Sequence, residues 1–124
     1  MGFIKKKVAL IKVFFTMKVT QAIVSLAKVK KLRIGRWILG MRIASLLKVW
    51  YGELDEGDMY SRALQYVKTT ECTDEGIRID IGTTLPGWYI GKRGSLVIKT
   101  ASYLGSEFVT RVNINIVPCE GDSK

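Results

Sequence analysis

Alternation of apolar and polar residues predicts three strands in the second half of the chain. Apolar side chains alternate with polar or small ones over residues 77–82 and again over residues 111–116, and this period of two is typical of a strand with one buried face. Residues 62–70 alternate less regularly, and the polar residues 71–76 separate them from the next strand. A short polar segment between two alternating segments predicts a β-hairpin.

A spacing of three to four residues between apolar positions predicts helices elsewhere. The clearest helix covers residues 36–51, and weaker ones cover residues 17–31 and the segment from Ser95 to Leu104. Ser95 is the expected N-cap of the last helix and Gly105 its expected stop. The apolar face predicted for residues 36–51 consists of Leu39, Ile43, Leu46, Leu47 and Trp50, widened by Trp37 and Met41. We expect this face to lie in the core.

In chain order, these elements predict an α+β fold in which a three-stranded sheet packs on helices. Pro86-Gly87 is predicted to form a turn after the second strand. We therefore divide the chain into a basic N-terminal extension (residues 1–35), one folded domain (36–118) and a polar C-terminal tail (119–124). A length of 124 residues is typical of a single domain.

Charge is distributed unevenly along the chain. Residues 1–52 contain twelve Lys or Arg and no Asp or Glu, whereas residues 53–124 contain eight basic and eleven acidic residues, which gives a formal charge of +9 overall. This asymmetry favours a polyanionic partner, either nucleic acid or an anionic membrane surface. The longest uncharged run of the basic segment, Val19–Ala27, has nine residues. A bilayer-spanning helix needs roughly 20, so we expect no membrane span.

The residues that most enzymes need are absent or unsuitably placed. The chain has no histidine, the commonest general base and metal ligand. Cys72 and Cys119 are too few for a zinc site, and we expect them to be small apolar side chains in a reduced compartment. A single disulfide, or a metal shared with another chain, is the alternative. The acidic residues 53–58 lie in a predicted turn. We therefore predict no enzyme activity, no cofactor, no metal and no small-molecule substrate.

One glycine-containing stretch points to a ligand. In Gly91-Lys92-Arg93-Gly94, two glycines bracket two cations just before the helix predicted from Ser95. Glycine lets the backbone come close to a ligand, and a helix N-terminus offers unpaired N–H groups to an anion. The stretch is therefore a candidate phosphate-binding loop.

Two aromatic residues, Trp88 and Tyr89, precede this loop. Aromatic side chains bind unpaired bases by stacking, but they also anchor loops in a hydrophobic core. The sequence leaves both interpretations open, and core packing is the commoner outcome.

A strand hairpin, a Gly-x-x-Gly loop, a helix and a third strand, in that order, resemble a KH domain of the prokaryotic type (type II). In this module the GXXG loop clamps about four backbone nucleotides. The sequence further resembles the small ribosomal subunit protein 3 family in three motifs. They are the Pro86-Gly87 entry to the loop, the run Ile90-Gly91-Lys92-Arg93-Gly94, and the strand Ile114-Asn115-Ile116. The resemblance covers residues 36–118.

This resemblance implies a structural constituent of the small ribosomal subunit. Its partners would be rRNA of the subunit head, near the messenger entry side, and neighbouring small-subunit proteins. Family members continue into a second domain that residues 119–124 do not contain, so we expect that domain to be either lost or supplied by a separate chain. The acid-free, basic start is also typical of mitochondrial import peptides. We expect it to stay in the protein as an ordered arm, on a mitochondrial ribosome, with another organelle or the bacterial cytoplasm as alternatives.

On this interpretation the arm supplies non-specific electrostatic attraction and the loop positions the domain. The candidate RNA-binding residues are Gly91, Lys92, Arg93, Gly94, Lys5, Lys6, Lys7, Lys12, Lys18, Lys28, Lys30, Lys31, Arg33 and Arg36. Three other functions fit the same charges. They are a free-standing KH-type protein that binds single-stranded RNA, a peripheral membrane protein that uses residues 3–32 as a basic amphipathic helix, and an interaction module for an acidic protein.

Overall fold

The computed structural model describes residues 18–120, which form five α-helices and three strands. In chain order these are α1 (residues 18–27), α2 (Arg33–Gly52), α3 (Gly57–Ala63), β1 (Leu64–Thr73), β2 (Gly76–Thr83), α4 (Pro86–Ile90), α5 (Ser95–Phe108) and β3 (Val112–Pro118). A single 3₁₀ turn, Lys92–Gly94, lies between α4 and α5. The architecture is α+β, with a three-stranded sheet packed with helices, as the sequence predicts.

The sheet is mixed, with the strand order β1-β2-β3. β1 and β2 are antiparallel, which confirms the predicted hairpin. β2 and β3 are parallel, with Ile79 opposite Ile114 and Ile81 opposite Ile116. Parallel neighbours need a crossover connection, and here it consists of α4, the loop and α5. The loop Gly91–Gly94 therefore lies at the end of the sheet where β2 finishes.

One apolar core lies between the sheet and the helices. Its fully buried members include Leu39, Ile43 and Leu47 from α2, Ile77, Ile79 and Ile81 from β2, and Leu104 from α5. Burial of each such side chain contributes about 1.5–3 kcal/mol. Trp50 of α2 stacks on Tyr103 of α5 with ring centroids 4.6 Å apart, which joins the two long helices.

The prediction that Trp37 and Met41 belong to the buried face of α2 is wrong. Their side chains are 64% and 53% exposed, whereas Leu39 is fully buried. The reason is geometric, because successive helical residues are rotated by about 100° and positions two apart lie on nearly opposite sides of a helix. α2 thus buries a narrower stripe than its composition indicates.

The helix α3 is absent from the sequence-based prediction, which has a turn over residues 53–58 and a strand from residue 62. The turn is shorter, and Glu56 within it adopts the left-handed conformation, with φ of 62°. A Cβ on Gly57 would collide with the carbonyl oxygen of Gly52, so the chain reverses tightly against the end of α2. A helix of only seven residues shows too little periodicity to be recognised.

The polar turn predicted over residues 71–76 is also shorter than expected. Residues 71–73 belong to β1, so only Asp74 and Glu75 separate the hairpin strands. β1 is an edge strand, and most of its polar side chains, Glu71 among them, are exposed. An antiparallel edge with one face in water accepts polar residues, which is why composition places the turn too early.

The predicted turn at Pro86-Gly87 is a short helix instead. Pro86 occupies the first turn of α4, where the missing proline N–H would have no helical partner in any case. The loop Gly91–Gly94 consequently connects two helices, not a strand and a helix.

The prediction that Ser95 caps α5 and that Gly105 ends it is wrong at both ends. Ser95 is the first residue of the helix, and Gly94 occupies the capping position. The helix continues through Gly105 to Phe108, whose side chain is buried. Burial of an apolar residue one turn later outweighs the weak helix propensity of a single glycine.

The described part of the predicted extension packs on the domain. Ala27 is 1% exposed, and Ile23 and Val24 pack against the core. α1 ends at residue 27, short of the predicted 31, and a Cβ on Gly35 would collide with the backbone of Leu26 where α1 and α2 meet. The predicted boundary between residues 35 and 36 therefore lies inside α2.

Candidate nucleic-acid interface

The loop Gly91–Gly94 has a backbone that few sequences can adopt. Gly91 has φ of 77° and ψ of 174°, a combination confined to glycine. Arg93 and Gly94 are both left-handed, with φ of 56° and 76°. Among these residues Arg93 is the non-glycine one in the left-handed region, and backbone strain of this kind is often found at ligand sites.

The two glycines are required for different reasons. A Cβ on Gly91 would lie 2.8 Å from both the Cβ and the backbone nitrogen of Leu96, so this position excludes a side chain as well as demanding an unusual φ. A Cβ on Gly94 would meet no atom closer than 3.9 Å. Gly94 is therefore required by its backbone conformation alone.

The two cations of the loop point into solvent. Lys92 and Arg93 are both exposed. Among residues 18–120 the ion pairs join Lys28 to Asp74 and Arg78 to Glu71, and neither loop cation takes part in one. Their positive charge is consequently available to an anion.

The N-terminus of α5 adds partial positive charge at the same place. The helix has 14 residues, and no side chain caps its first turn in the described structure. The N–H groups of Gly94 and Ser95 already donate to the carbonyls of Gly91 and Lys92, and the positive end of the helix dipole favours an anion beside them. Exposed cations, the positive end of a helix dipole and glycine positions without side chains therefore coincide at one loop, an arrangement suited to phosphate.

A cleft of about 290 Å³ runs beside Gly91. Its lining includes Tyr60, Trp88, Leu96 and Lys99. Trp88 is 46% exposed and meets Tyr60 edge to face, with ring centroids 5.9 Å apart. One wall of the cleft is therefore an aromatic side chain with free surface, next to the candidate phosphate site.

The two aromatic residues before the loop have separate positions. Tyr89 is fully buried, and its hydroxyl donates a hydrogen bond to the backbone carbonyl of Tyr60. Its ring lies 4.5 Å from that of Tyr51, and burial raises the pKa of both hydroxyls above the ordinary value. Tyr89 thus anchors α4 in the core, while the stacking interpretation remains open for Trp88.

Lys28, one of the predicted N-terminal cations, lies far from the loop. Lys28 follows α1 and pairs with Asp74 in the hairpin turn at 3.0 Å, at the start of β2, whereas the loop follows its end. The eight residues of β2 span about 26 Å. The structure therefore does not bring Lys28 and the loop together.

The remaining basic candidates in the described residues are mostly exposed. Lys18, Lys30, Lys31 and Arg33 are exposed, and Arg36 is half-buried, with its Nη1 donating to the carbonyl of Lys30 at 3.2 Å. The candidates Lys5, Lys6, Lys7 and Lys12 lie outside the described residues.

Two cations near these sites are absent from the sequence-based list. Lys99 lines the cleft beside Gly91. It lies one helical turn after Ser95, so the helix predicted from Ser95 already indicates that Lys99 is near the loop. Lys68 lies on β1 beside α2, a juxtaposition that depends on tertiary packing and has no local signal.

The structure offers no sign of a metal centre in its described part. Cys72 is buried and Cys119 half-buried, and both are free thiols, so the alternative of an intramolecular disulfide is not formed. Burial raises the pKa of the Cys72 thiol. Residues 18–120 contain no group of three or more metal-ligating side chains, and within the same range no helix is long and apolar enough to cross a bilayer.

No family model and no curated protein matches the sequence of this chain.

Proposed function

We propose that this chain is an RNA-binding protein with a KH domain of the prokaryotic type, and that it serves as a structural constituent of the small ribosomal subunit. The observation that carries the RNA-binding part is the Gly91–Gly94 loop. Its two glycines have positive φ, its two cations are exposed, and it precedes an uncapped helix of 14 residues.

The topology supports the KH assignment. An antiparallel hairpin leads through the glycine loop and a helix to a third strand, the order that characterises the resemblance. The loop lies on the connection between two parallel neighbouring strands. The buried Tyr89 of α4, just before the loop, anchors it to the core.

The mechanism follows from the loop geometry. A phosphate group sits against the N–H groups at the start of α5, and the missing side chains at Gly91 and Gly94 let the nucleic-acid backbone approach closely. Lys92 and Arg93 neutralise neighbouring phosphates. The face of Trp88 can stack on an adjacent base. Backbone contacts position a nucleic acid without reading its sequence, which suits a constitutive rRNA contact.

A ribosomal setting would give a role to the exposed cations Lys30, Lys31 and Arg33. Lys30, Lys31 and Arg33 lie at the opposite end of β2 from the loop, so one RNA ligand would have to be extended or folded to touch both. Folded rRNA offers phosphates at many positions. Neighbouring small-subunit ribosomal proteins are the other partners in this proposal.

The test of RNA binding is a double substitution in the loop. Lys92→Gln with Arg93→Gln removes two phosphate contacts, and each contact contributes about 0.7 to the slope of log affinity against log salt for a single strand. We expect the slope for a short single-stranded RNA of about eight nucleotides, measured by fluorescence anisotropy, to become shallower by about 1.4. An unchanged affinity and slope would show that the loop does not hold RNA.

Arg78→Gln with Arg111→Gln is the matched control. It removes the same charge from exposed residues, and both of these residues lie at the start of β2 and β3, away from the loop. We expect this control to change the affinity by less than about twofold if the loop is the contact, because distant exposed charges are largely screened at physiological salt. A loss equal to that of the loop variant would indicate attraction by net charge only.

The second candidate function is a free-standing KH-type protein that binds single-stranded RNA transiently. The cleft beside Trp88 favours it, since an exposed aromatic wall suits an unpaired base. Co-sedimentation with small ribosomal subunits after a high-salt wash separates the two functions. An integral ribosomal protein remains bound, whereas a transient binder is released.

A further inference from the structure

A second cleft lies between α2 and β1, and we call it the α2–β1 cleft. It has a volume of about 610 Å³ and is lined by Arg33, Arg36, Trp37 and Met41 of α2 and by residues 67–70 of β1. Its mid-point is far from the glycine loop, because Trp37 and the end of α2 at Gly52 are about 22 Å apart along the helix axis. The α2–β1 cleft is therefore a separate surface from the candidate site already described.

Trp37 is the most exposed of the aromatic side chains in the described structure, with 64% of its surface in water. It lies on the opposite side of α2 from the buried Leu39, and within residues 18–120 it contacts no other aromatic ring. Leaving this much of a large apolar ring in water forgoes the free energy of burial. A side chain in that position is available to a partner.

Every ionisable side chain that lines the α2–β1 cleft is cationic. Arg33 and Arg36 come from α2 and Lys68 from β1, and no carboxylate is among the lining residues. The guanidinium of Arg36 is held in place by its 3.2 Å hydrogen bond to the carbonyl of Lys30. The ligand of this cleft should therefore carry negative charge.

The floor of the cleft combines close packing with an unsatisfied polar group. Gly40 lets α2 approach β1, since a Cβ there would lie 3.3 Å from the carbonyl oxygen of Val67. The hydroxyl of Thr69 is buried beneath it without a hydrogen-bond partner in the described structure. β1 is also the edge strand of the sheet. The cleft thus has a rigid floor and a polar edge.

We propose that the α2–β1 cleft binds an unpaired nucleotide of single-stranded RNA, with the base stacked on the indole of Trp37 and the flanking phosphates paired with Arg33 and Arg36. An aromatic platform inside a positively charged groove is the arrangement by which proteins hold single strands without sequence preference. The choice of RNA as the polyanion rests on the proposed function. The position of the site rests on the cleft alone.

The surface between the two sites supports one continuous ligand. Ser45, Lys48 and Gly52 are exposed along α2 on the way from Met41 to the cleft beside Gly91. A single strand bound at both sites would follow this face of α2. Cooperation between the two sites would then raise the affinity through effective concentration.

The test uses the indole N–H signals of the full chain, labelled with ¹⁵N at tryptophan and titrated with a single-stranded RNA of about twelve nucleotides. Of the three tryptophans, Trp50 is an internal control, because its Nε1 donates to the hydroxyl of Thr100 at 2.9 Å. We expect the Trp37 signal to shift and the Trp50 signal to stay in place. Trp37→Ala should weaken RNA binding about five- to a hundredfold with an unchanged melting temperature, and Trp37→Phe should restore part of the affinity.

Three results would overturn the inference. The first is a Trp37 signal that does not move together with unchanged affinity of Trp37→Ala. The second is a shift of Trp37 on addition of a polyglutamate peptide and not of RNA, which would make the cleft a site for an acidic protein segment. The third is loss of RNA binding in Trp37→Ala only through unfolding, with Trp37→Phe binding no better than Trp37→Ala.

The outcomes also separate this inference from the proposed function. If Lys92→Gln with Arg93→Gln loses RNA binding and Trp37→Ala does not, the α2–β1 cleft is not an RNA site and the proposed function stands. If Trp37→Ala loses binding and the loop variant does not, the inference holds and the loop assignment fails.

Discussion

The two ends of β2 use basic residues in different ways. At the end where the strand finishes, two cations sit on a loop whose backbone has positive φ at three of four residues. At the end where it begins, Lys28, Lys30, Lys31 and Arg33 sit on ordinary backbone, and one of them is already paired with Asp74. The first arrangement depends on backbone geometry and the second on positive charge. Geometry fixes where a phosphate sits, whereas charge sets how strongly a polyanion is attracted.

The basic segment near the start of β2 nevertheless packs closely on its neighbours. Gly35 lies directly against the backbone of Leu26, where any side chain would collide, and Ala27 beside it is 1% exposed. The described cations between residues 28 and 36 therefore belong to a packed surface, whatever the conformation of the residues before 18. A flexible, purely electrostatic tether would not require such a contact.

Gly35→Ala should give the largest effect on stability. The added Cβ meets backbone atoms, which cannot turn aside as a side chain can, so we expect a loss of about 3 kcal/mol in the free energy of unfolding. Urea denaturation followed by circular dichroism measures it. Gly87→Ala is the control, since nothing lies within 4 Å of a Cβ there and alanine favours a helix by about 0.8 kcal/mol. Equal stability of Gly35→Ala and the wild type would show that α1 does not pack on α2.

Gly91→Ala should follow, with a loss of about 2 kcal/mol and a strong loss of RNA affinity. The residue would need a φ and ψ confined to glycine and would press on Leu96 at 2.8 Å. Gly94→Ala isolates the backbone effect, because it has open space and only a left-handed φ of 76°, and should cost about 1 kcal/mol. Both are measured by the same denaturation experiment. If Gly94→Ala were the more damaging of the two, the close contact at Gly91 would have no part in shaping the loop.

Tyr51→Phe should leave the stability at neutral pH nearly unchanged and have its effect only at high pH. Burial raises the pKa of Tyr51 to about 12 from 10.0. Between these values the unfolded chain releases the proton and the folded chain retains it, so stability falls as pH rises above 10. At pH 11 the loss from this residue is about 1.4 kcal/mol, and Tyr51→Phe should remove it.

Thermal melts at pH 7, 10 and 11 test this assignment. At pH 7 the variant should be as stable as the wild type or slightly more stable, because the hydroxyl has no hydrogen-bond partner in the described structure. Tyr89 has a raised pKa for the same reason, so some alkaline sensitivity should persist. If the variant lost as much stability between pH 7 and pH 11 as the wild type, the hydroxyl of Tyr51 would not be the buried group with the raised pKa.

Much of the fold is predictable from local pattern. β2 and β3 alternate with a strict period of two, and residues 36–51 repeat their apolar positions with helical spacing, so these elements were located within a few residues. The antiparallel direction of β1 and β2 then follows from their short connection, because parallel neighbours need a much longer crossover. Boundaries that depend on a tight reversal, such as Glu56–Gly57, have no periodic signal.

The candidate site divides in the same way. The glycine loop is local in sequence, so its residues could be identified without coordinates. Trp37 could not be assigned correctly, because its exposure depends on which narrow stripe of α2 meets the sheet. Lys68 and Arg33 line the same cleft only because β1 packs on α2, and no spacing in the sequence indicates it.

The central claim is that the Gly91–Gly94 loop holds an RNA backbone, and amide chemical shifts test it most directly. The full chain, uniformly labelled with ¹⁵N, is titrated with a short single-stranded RNA while the amide signals are followed. The account predicts that the largest saturable shifts belong to residues 91–96, where the N–H groups at the start of α5 meet phosphate. Shifts confined to other residues, with these amides unmoved at saturation, would contradict it.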